Sequence, residues 1–312
     1  MKQLGQRLLQ MLVTVLGVSF LTFCLTYLAP GDPAMMVLEA GDTIVSQELI
    51  EKTRHEMGLD QPFLVQYVNW VGGAVHGDMG MSYSAKKPVT EKLAEGFTGT
   101  LFLAAVTVVF ILLISIPLGI FSAVHQNKLP DYLVRFFSFI GVSMPSFWVG
   151  LILLYIFGLK LRLFPIASSE VTLNGVILPA ITLAIYQSAK YTRQVRTVIL
   201  EELHQDYVVG ARARGLTESV ILWKHVLPNA VLPLITLLGM SIGWLLGGVA
   251  VIEMVFSWPG IGNMAVRGIM MRDYPLIEGF VLWISIVYIL VNFLVDVSYT
   301  YLDPKLRKGG KA

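Results

Sequence analysis

Gly239-Met-Ser241-Ile-Gly243 has the Gly-x-Ser-x-Gly spacing that presents a nucleophilic serine on a sharp strand-to-helix turn in many hydrolases. That chemistry needs a histidine within hydrogen-bond reach to take the serine proton. Ser241 instead sits inside an uncharged apolar run over 226–252, and the nearest histidine in sequence, His225, is 16 residues away. Along a helix that separation is ~24 Å, at 1.5 Å per residue. The five histidines, at 55, 76, 125, 204 and 225, show no metal-ligand spacing, and His76, Met79 and Met81 make only a weak soft-metal group. No Gly-x-x-x-x-Gly-Lys-Ser/Thr is present to cradle a nucleotide phosphate. The residues therefore assign no catalytic centre, no metal site and no cofactor to this chain.

The charged residues are few and placed by position. Hydrophobic residues make up 55% of the 312 positions and charged ones 14%, with a mean hydropathy of +0.69. Soluble domains carry about 25% charged residues, so this composition belongs in a lipid bilayer. A net charge of +2 is too small to argue for nucleic acid. The single Cys24 lies in an apolar run and has no intrachain partner. Asp296, the one acid within a spanning run, lies close enough to the cytoplasmic end for an ion pair with a nearby Lys or Arg, and a proton relay is the alternative. Arg267, Arg272 and Asp273 read as a solvated loop that faces outward.

A spanning helix needs about 20 mainly apolar residues. Six runs qualify: 8–28, 96–124, 136–159, 171–189, 226–252 and 279–295, the last continuing helically to about residue 302. The first run has 21 uncharged residues, longer than the ~7–15 of a signal peptide's apolar region, and reads as a retained span. Lys and Arg concentrate at the N-terminus (Lys2, Arg7), after the second run (Lys128, Arg135), between the fourth and fifth (Lys190, Arg193, Arg196, Arg212, Arg214, Lys224) and in the tail. Residues 30–95 carry five basic residues against ten acidic ones. The positive-inside rule then puts both termini in the cytoplasm and 30–95 outside. The domain reading is a first span over 1–29, an external helical domain over 30–95, a five-span core over 96–302 and a tail over 303–312. In the external domain Ser46 reads as an N-cap, Met57-Gly58 as a helix end, and 62–75 as an amphipathic helix. That domain is an outer cap or a docking surface for an external partner.

Two polar interruptions of the core stand out. Within 202–228, Asp206 is expected to cap a short helix, Gly215 to end it in the left-handed conformation, and Thr217 to cap a second helix that enters the next span at Pro228. Glu253-Met-Val-Phe-Ser-Trp-Pro-Gly-Ile-Gly262 breaks the chain just past the fifth run and suggests a re-entrant or folded-back outer loop. Inside that run Gly239, Gly243 and Gly247 recur every four residues, a flat stripe suited to close helix approach, within this chain or at a seam with a second subunit.

These motifs resemble the permease subunits of ABC importers. In that family a docking loop carries Gly followed ten residues later by Ile-x-Leu-Pro; here Gly215 is followed by His225, Val226, Leu227 and Pro228. The family's older Glu-Ala-Ala start is replaced by Val209, Gly210 and Ala211, which leaves Gly215 as the stronger docking residue. Glu253, Phe256, Pro259, Gly260 and Gly262 fill the Glu-x-x-Phe-x-x-Pro-Gly-x-Gly pattern of its peptide/nickel branch, and Gly58-Leu-Asp-Gln-Pro62 and Leu302-Asp-Pro-Lys-Leu-Arg307 also match. The resemblance covers nearly the whole chain. It implies an all-α, type I importer permease in a bacterial inner membrane, with an outward insertion after the first of six spans. It also implies two separate ATPases that hold ATP and Mg, a second permease subunit and an external solute-binding protein. Asp206, Ala211, Arg212, Gly215, Leu216, Leu227 and Pro228 would be the ATPase-coupling residues, and the glycine stripe with Ser241 would line the permease seam or solute path. The short segment 160–170 is similar to nickel-type members, while peptide solutes share the same motifs. An ion-coupled carrier and an intramembrane hydrolase remain as rival classes, the first disfavoured by the lack of acids near mid-membrane.

Cysteines placed at Glu48 or Lys86 are expected to react with an impermeant thiol reagent in intact cells, and Lys305→Cys to stay unlabelled. The reverse labelling pattern would overturn the assigned topology.

Overall fold

The computed structural model describes residues 2–39 and 46–302, with side-chain surroundings for all of these except 2–8, 39, 240, 242–244, 246–248, 292 and 294–302. Among the described residues every regular element is a helix, and the only bridge pairs Met81 with Pro88. Two units are resolved: Met1–Thr100 with Pro259–Ile289, and Leu101–Trp258 with Leu290–Ala312.

The first unit holds α1 (Lys2–Leu28), α2 (Pro33–Glu39), α3 (Gln47–Glu56), α4 (Phe63–Val75), the start of α5 (Val89–Val124), α13 (Ile261–Met270) and most of α14 (Tyr274–Leu302). Local expectations hold in α3. The Ser46 side chain accepts a hydrogen bond from the Leu49 N–H at 3.2 Å, and Gly58 follows the helix with φ +67°. Helix α4 turns its aromatic face onto α1: Phe20, Phe23 and Tyr27 meet Phe63, Tyr67 and Trp70, with ring centroids 4.9–6.0 Å apart. Edge-to-face pairs of this kind add about 0.5–1.5 kcal/mol each beyond burial. A second cluster packs Met79, Val89 and Leu93 against Ile261, Leu276 and Leu282. Asp273, expected in a solvated loop, is fully buried. It accepts hydrogen bonds from the Ser82 and Ser84 hydroxyls at 2.6 and 2.7 Å and from the Ser84 N–H at 3.0 Å. The correction follows from these donors, which satisfy the carboxylate without water. Burial, then the nearby Glu278 and Asp273 carboxylates, push the Tyr83 phenol well above its usual value.

The second unit contains the rest of α5, then α6 (Leu129–Ser143), α7 (Ser146–Leu153) with a π-helical continuation (Leu154–Lys160), α8 (Leu173–Leu203), α9 (Asp206–Ala213), α10 (Glu218–Ile221), a π-helical turn (Leu222–Val226), α11 (Leu227–Gly248) and α12 (Ala250–Val255). Its centre is α8, which packs against α6, α7, α11 and α12. Two neighbours approach it through glycine. A Cβ added at Gly119 would meet Val195 side-chain atoms at 2.6 Å, and one at Gly141 would meet the Ala189 Cβ at 2.9 Å. Backbones that approach this closely gain dispersion contacts that larger residues forbid.

Among the described residues four helices are long and apolar enough to cross a membrane: Leu9–Leu28, Val89–Val124, Glu218–Gly239 and Tyr274–Val291. The run 136–159 is not one straight helix. Leu129–Ser143 and Ser146–Lys160 meet at a 97° bend, because Pro145 pushes Met144 into an extended conformation (φ −89°, ψ 132°) that ends α6. The fourth run, 171–189, forms the first part of α8 and is less apolar, since it carries Thr182, Gln187 and Ser188. All three are buried in the unit, where neighbouring helices rather than lipid surround them.

Candidate coupling site

The polar stretch after α8 folds as a bend between two helices. Helix α9 begins at Asp206 with Gln205 in the cap position, and no side chain caps it. Asp206 is therefore in the first turn and not the cap, a correction of one residue; its charge still favours the positive end of the helix. Thr217 does occupy the cap position of α10, but its hydroxyl makes no capping bond. At the far end of α9, Gly215 has φ +79°. Its N–H bonds the Arg212 carbonyl at 2.9 Å, and the Leu216 N–H bonds the Ala211 carbonyl at 3.3 Å. That pair of bonds is a Schellman closure, which needs a left-handed residue at this point. An added Cβ would meet nothing within 4 Å, so the requirement for glycine is conformational and not steric. Arg212 then closes the bend with a two-pronged ion pair to Glu218, at 2.7 and 3.0 Å. The Glu218 carboxylate raises the Arg212 pKa further above its ordinary value.

The bend is anchored from beneath. Val208, Ala211, Ile221 and Val226 are essentially inaccessible. Fully burying a Val or Ile side chain contributes about 1.5–3 kcal/mol. Ala211 was expected on the docking face beside Gly215; it is 1% exposed and points into its own subunit. The outward positions include Val209, Arg212, Leu216 and Trp223, with Pro228 exposed further along and Leu227 half-buried. From Glu218 the helix runs through the π-helical turn 222–226 into α11 without a break in helical structure. The wider turn precedes Pro228, whose ring and missing N–H would otherwise disrupt the preceding α-helical ladder.

A second polar element had no signal in local sequence pattern. Asp131, fully buried, accepts from Arg196 Nε and Nη2 at 2.7 and 2.8 Å, from the Ser122 hydroxyl at 2.6 Å and from the Asn127 N–H at 2.9 Å. Arg135, at i+4, stays at 3.5 Å. The pair joins the end of α5, the start of α6 and the last third of α8. Arg196 had counted only toward membrane orientation, because its partner is 65 residues away in sequence.

On the other side of α11, Glu253, Phe256 and Trp258 are buried in the second unit. The Ser168 N–H donates to the Phe256 carbonyl at 3.1 Å, and the Trp258 N–H to the Glu253 carbonyl at 2.7 Å, across Ser257 at φ +51°. In the first unit, Gly260 precedes α13, Gly262 is buried, the Pro259 carbonyl abuts Gly99, and the Thr100 hydroxyl accepts from the Ile261 N–H at 2.9 Å. Residues 253–258 and 259–262 are thus each packed within their own unit. Gly239, Gly243 and Gly247 all lie in α11, while the surroundings of Gly243 and Gly247 fall outside the described residues. Ser241 is mid-helix and donates to the Leu237 carbonyl at 3.0 Å, which contradicts the strand-to-helix elbow a hydrolase needs. His76 bonds the Gly72 carbonyl at 2.7 Å while Met79 is in the apolar cluster. The Asp296 side chain and the 303–307 motif lie outside the described residues.

Residues 115–308 match the family described as "Binding-protein-dependent transport system inner membrane component", and residues 1–104 match its N-terminal membrane component. The chain is 39% identical to the probable D,D-dipeptide transport system permease protein DdpB of Escherichia coli (strain K12), over 98% of each chain. It is 37% identical to the glutathione transport system permease protein GsiC of the same strain, over 97% of each. Among solved structures, an inward-facing MetNI methionine ABC transporter aligns with a TM-score of 0.54 at 18% identity, over 68% of this chain and 96% of that one. The chain belongs to the inner-membrane components of binding-protein-dependent transport systems, the permease subunits of ABC importers.

Removing one partner of a buried ion pair costs about 3–5 kcal/mol, whereas exposed pairs contribute about 0–1 kcal/mol. Asp131→Ala is therefore expected to lower thermal stability in detergent strongly, and Arg135→Ala to change it little. Equal effects from the two variants would refute the assignment of Arg196 as the principal partner.

Proposed function

We propose that this permease carries a small peptide-class solute across the inner membrane by alternating access, driven by two separate ATPases that dock on 206–228. In this reading a second permease subunit completes the path along the Gly239–Gly243–Gly247 face, and an external binding protein delivers the solute. ATP and Mg reside on the ATPases. The chain crosses the bilayer six times with both termini in the cytoplasm, counting the bent α6–α7 pair and α8 as spans.

The observation that carries this reading is the bend at Gly215. It presents Val209, Arg212 and Leu216 outward, yet it is bonded into a helix that continues directly into the α11 span. A partner that grips the bend would move α11 as a rigid body, the kind of small interface displacement that switches packed helices between discrete states. The peptide class is favoured over nickel because DdpB and GsiC, similar along nearly their whole length, are named for a D,D-dipeptide and for glutathione.

A side chain at φ +79° is strained by about 1–2 kcal/mol, and a carboxylate there adds a desolvation cost on docking. In the complete importer reconstituted in proteoliposomes, Gly215→Asp is expected to abolish peptide uptake and weaken co-purification of the ATPases. Glu218→Gln, which loses only an exposed ion pair, is expected to keep most activity. Normal uptake together with normal ATPase association in Gly215→Asp would sink the coupling assignment, and uptake of nickel in place of peptide would sink the substrate class.

A further inference from the structure

Helix α8 carries an open, basic side in the second unit. Val195 meets the close approach at Gly119, Ala189 meets that at Gly141, and Tyr191 bonds α11. Lys190, Arg193 and Thr197, spaced i, i+3 and i+7, lie on another face and are exposed. Beside them an open groove of about 460 Å³ lies between α8 and α11, with Val198 and Leu237 as its apolar lining. The Thr197 hydroxyl donates its proton to the Arg193 carbonyl at 3.0 Å. The charged donors at the groove are Lys190 and Arg193.

No carboxylate of the described residues answers these two cations. Neither forms an ion pair among the described residues, and no acid occurs from 171 to 200 or, on the facing side, from 219 to 252. Glu201 lies eight residues past Arg193, ~12 Å along a helix. Asp131 is committed to Arg196. Like charges one turn apart on a helix repel, and a single anion held between them removes that repulsion.

The position of the pair says which anion. Helix α8 is uncharged from Leu173 to Ala189, ~26 Å at 1.5 Å per residue, close to the ~30 Å of a bilayer's hydrocarbon core. Lys190 and Arg193 therefore emerge at headgroup level, on the cytoplasmic side in the topology proposed above. Basic pockets between spanning helices on that side suit anionic lipid headgroups. We infer that this groove binds an anionic phospholipid of the inner leaflet, its phosphate bridged by Lys190 and Arg193 and its glycerol end against Val198 and Leu237. A small soluble anion would gain nothing from that apolar lining. Lipid held there would staple α8 to α11. The site is independent of the solute class, and only the leaflet rests on the proposed topology.

The test is native mass spectrometry of the delipidated full chain in detergent, titrated with dioleoylphosphatidylglycerol or dioleoylphosphatidylcholine. The anionic lipid is expected to bind at least about tenfold more tightly than the zwitterionic one. Lys190→Gln and Arg193→Gln are each expected to weaken its binding about fivefold, the worth of one cation near an anionic lipid surface. Arg193→Lys, which keeps the charge, is expected to retain most of the affinity. Lys128→Gln, which removes an exposed cation at the start of α6, is expected to change it less than about twofold. The comparison of lipids on the unaltered chain stands even if a variant folds poorly. Equal binding of the two lipids, or an equal loss in Lys128→Gln, would overturn the inference. Displacement of the anionic lipid by dialanine would assign the cations to the solute path, and loss of the tight site in the complete importer would assign the groove to the permease seam; either result also overturns it. Failure in detergent would leave the transport and topology readings intact, whereas reversed thiol labelling in cells would overturn the leaflet and leave the site.

Discussion

The second unit depends on close approach to one helix. Helix α8 is met at Gly119 and Gly141 by α5 and α6, at distances that admit no added side chain without displacement. Lipid supplies no hydrophobic force between helices, so contact area and satisfied polar groups must hold such a helix in place. Both are present. Asp131 and Arg196 tie α8 to the start of α6, and the Tyr191 hydroxyl donates to the Leu234 carbonyl of α11 at 2.7 Å. Each polar bond in a dry setting also penalises the arrangement that would leave it unmade.

That arrangement gives the 206–217 bend two attachments. One is a short link to the end of α8, and the other is the unbroken passage from α10 into α11. Because α8 and α11 are themselves bonded, a displacement at the bend is not absorbed by a free hinge. Buried Val208, Ala211, Ile221 and Val226 supply the stiffness, and the Schellman closure at Gly215 fixes the angle. Arg212 and Glu218 are paired with each other within the bend, and Val209, Leu216 and Trp223 are exposed apolar surface on it.

What could be read from sequence was local. The Ser46 cap, the Gly58 and Gly215 helix ends and the helix over 62–75 each rest on a few neighbouring residues, and the structure has them. The family was legible from spaced motifs for the same reason. The cap at Gln205 escaped because Asp206 has the better capping side chain, yet the helix starts one residue earlier than expected, at Asp206 itself. The break at Met144-Pro145 lay within an uncharged run whose apolarity masked the proline. Ala211 was counted among the coupling residues, but position along a short helix does not say which face the subunit covers, and Ala211 is buried. Asp131 with Arg196, and Asp273 with Ser82 and Ser84, are long-range pairs that no local periodicity encodes.

The central claim is that the bend and the α11 span move together. Spin labels at Leu216 and Ile235, both accessible, in a Cys24→Ala background of the complete reconstituted importer would report their separation by double electron–electron resonance during ATP turnover. A single distance distribution, unchanged between nucleotide-free and ATP-trapped states, is the expected result, alongside a changing distance from Leu216 to a label on the second permease. A Leu216–Ile235 distance that shifts with nucleotide would contradict rigid coupling through α10 and α11.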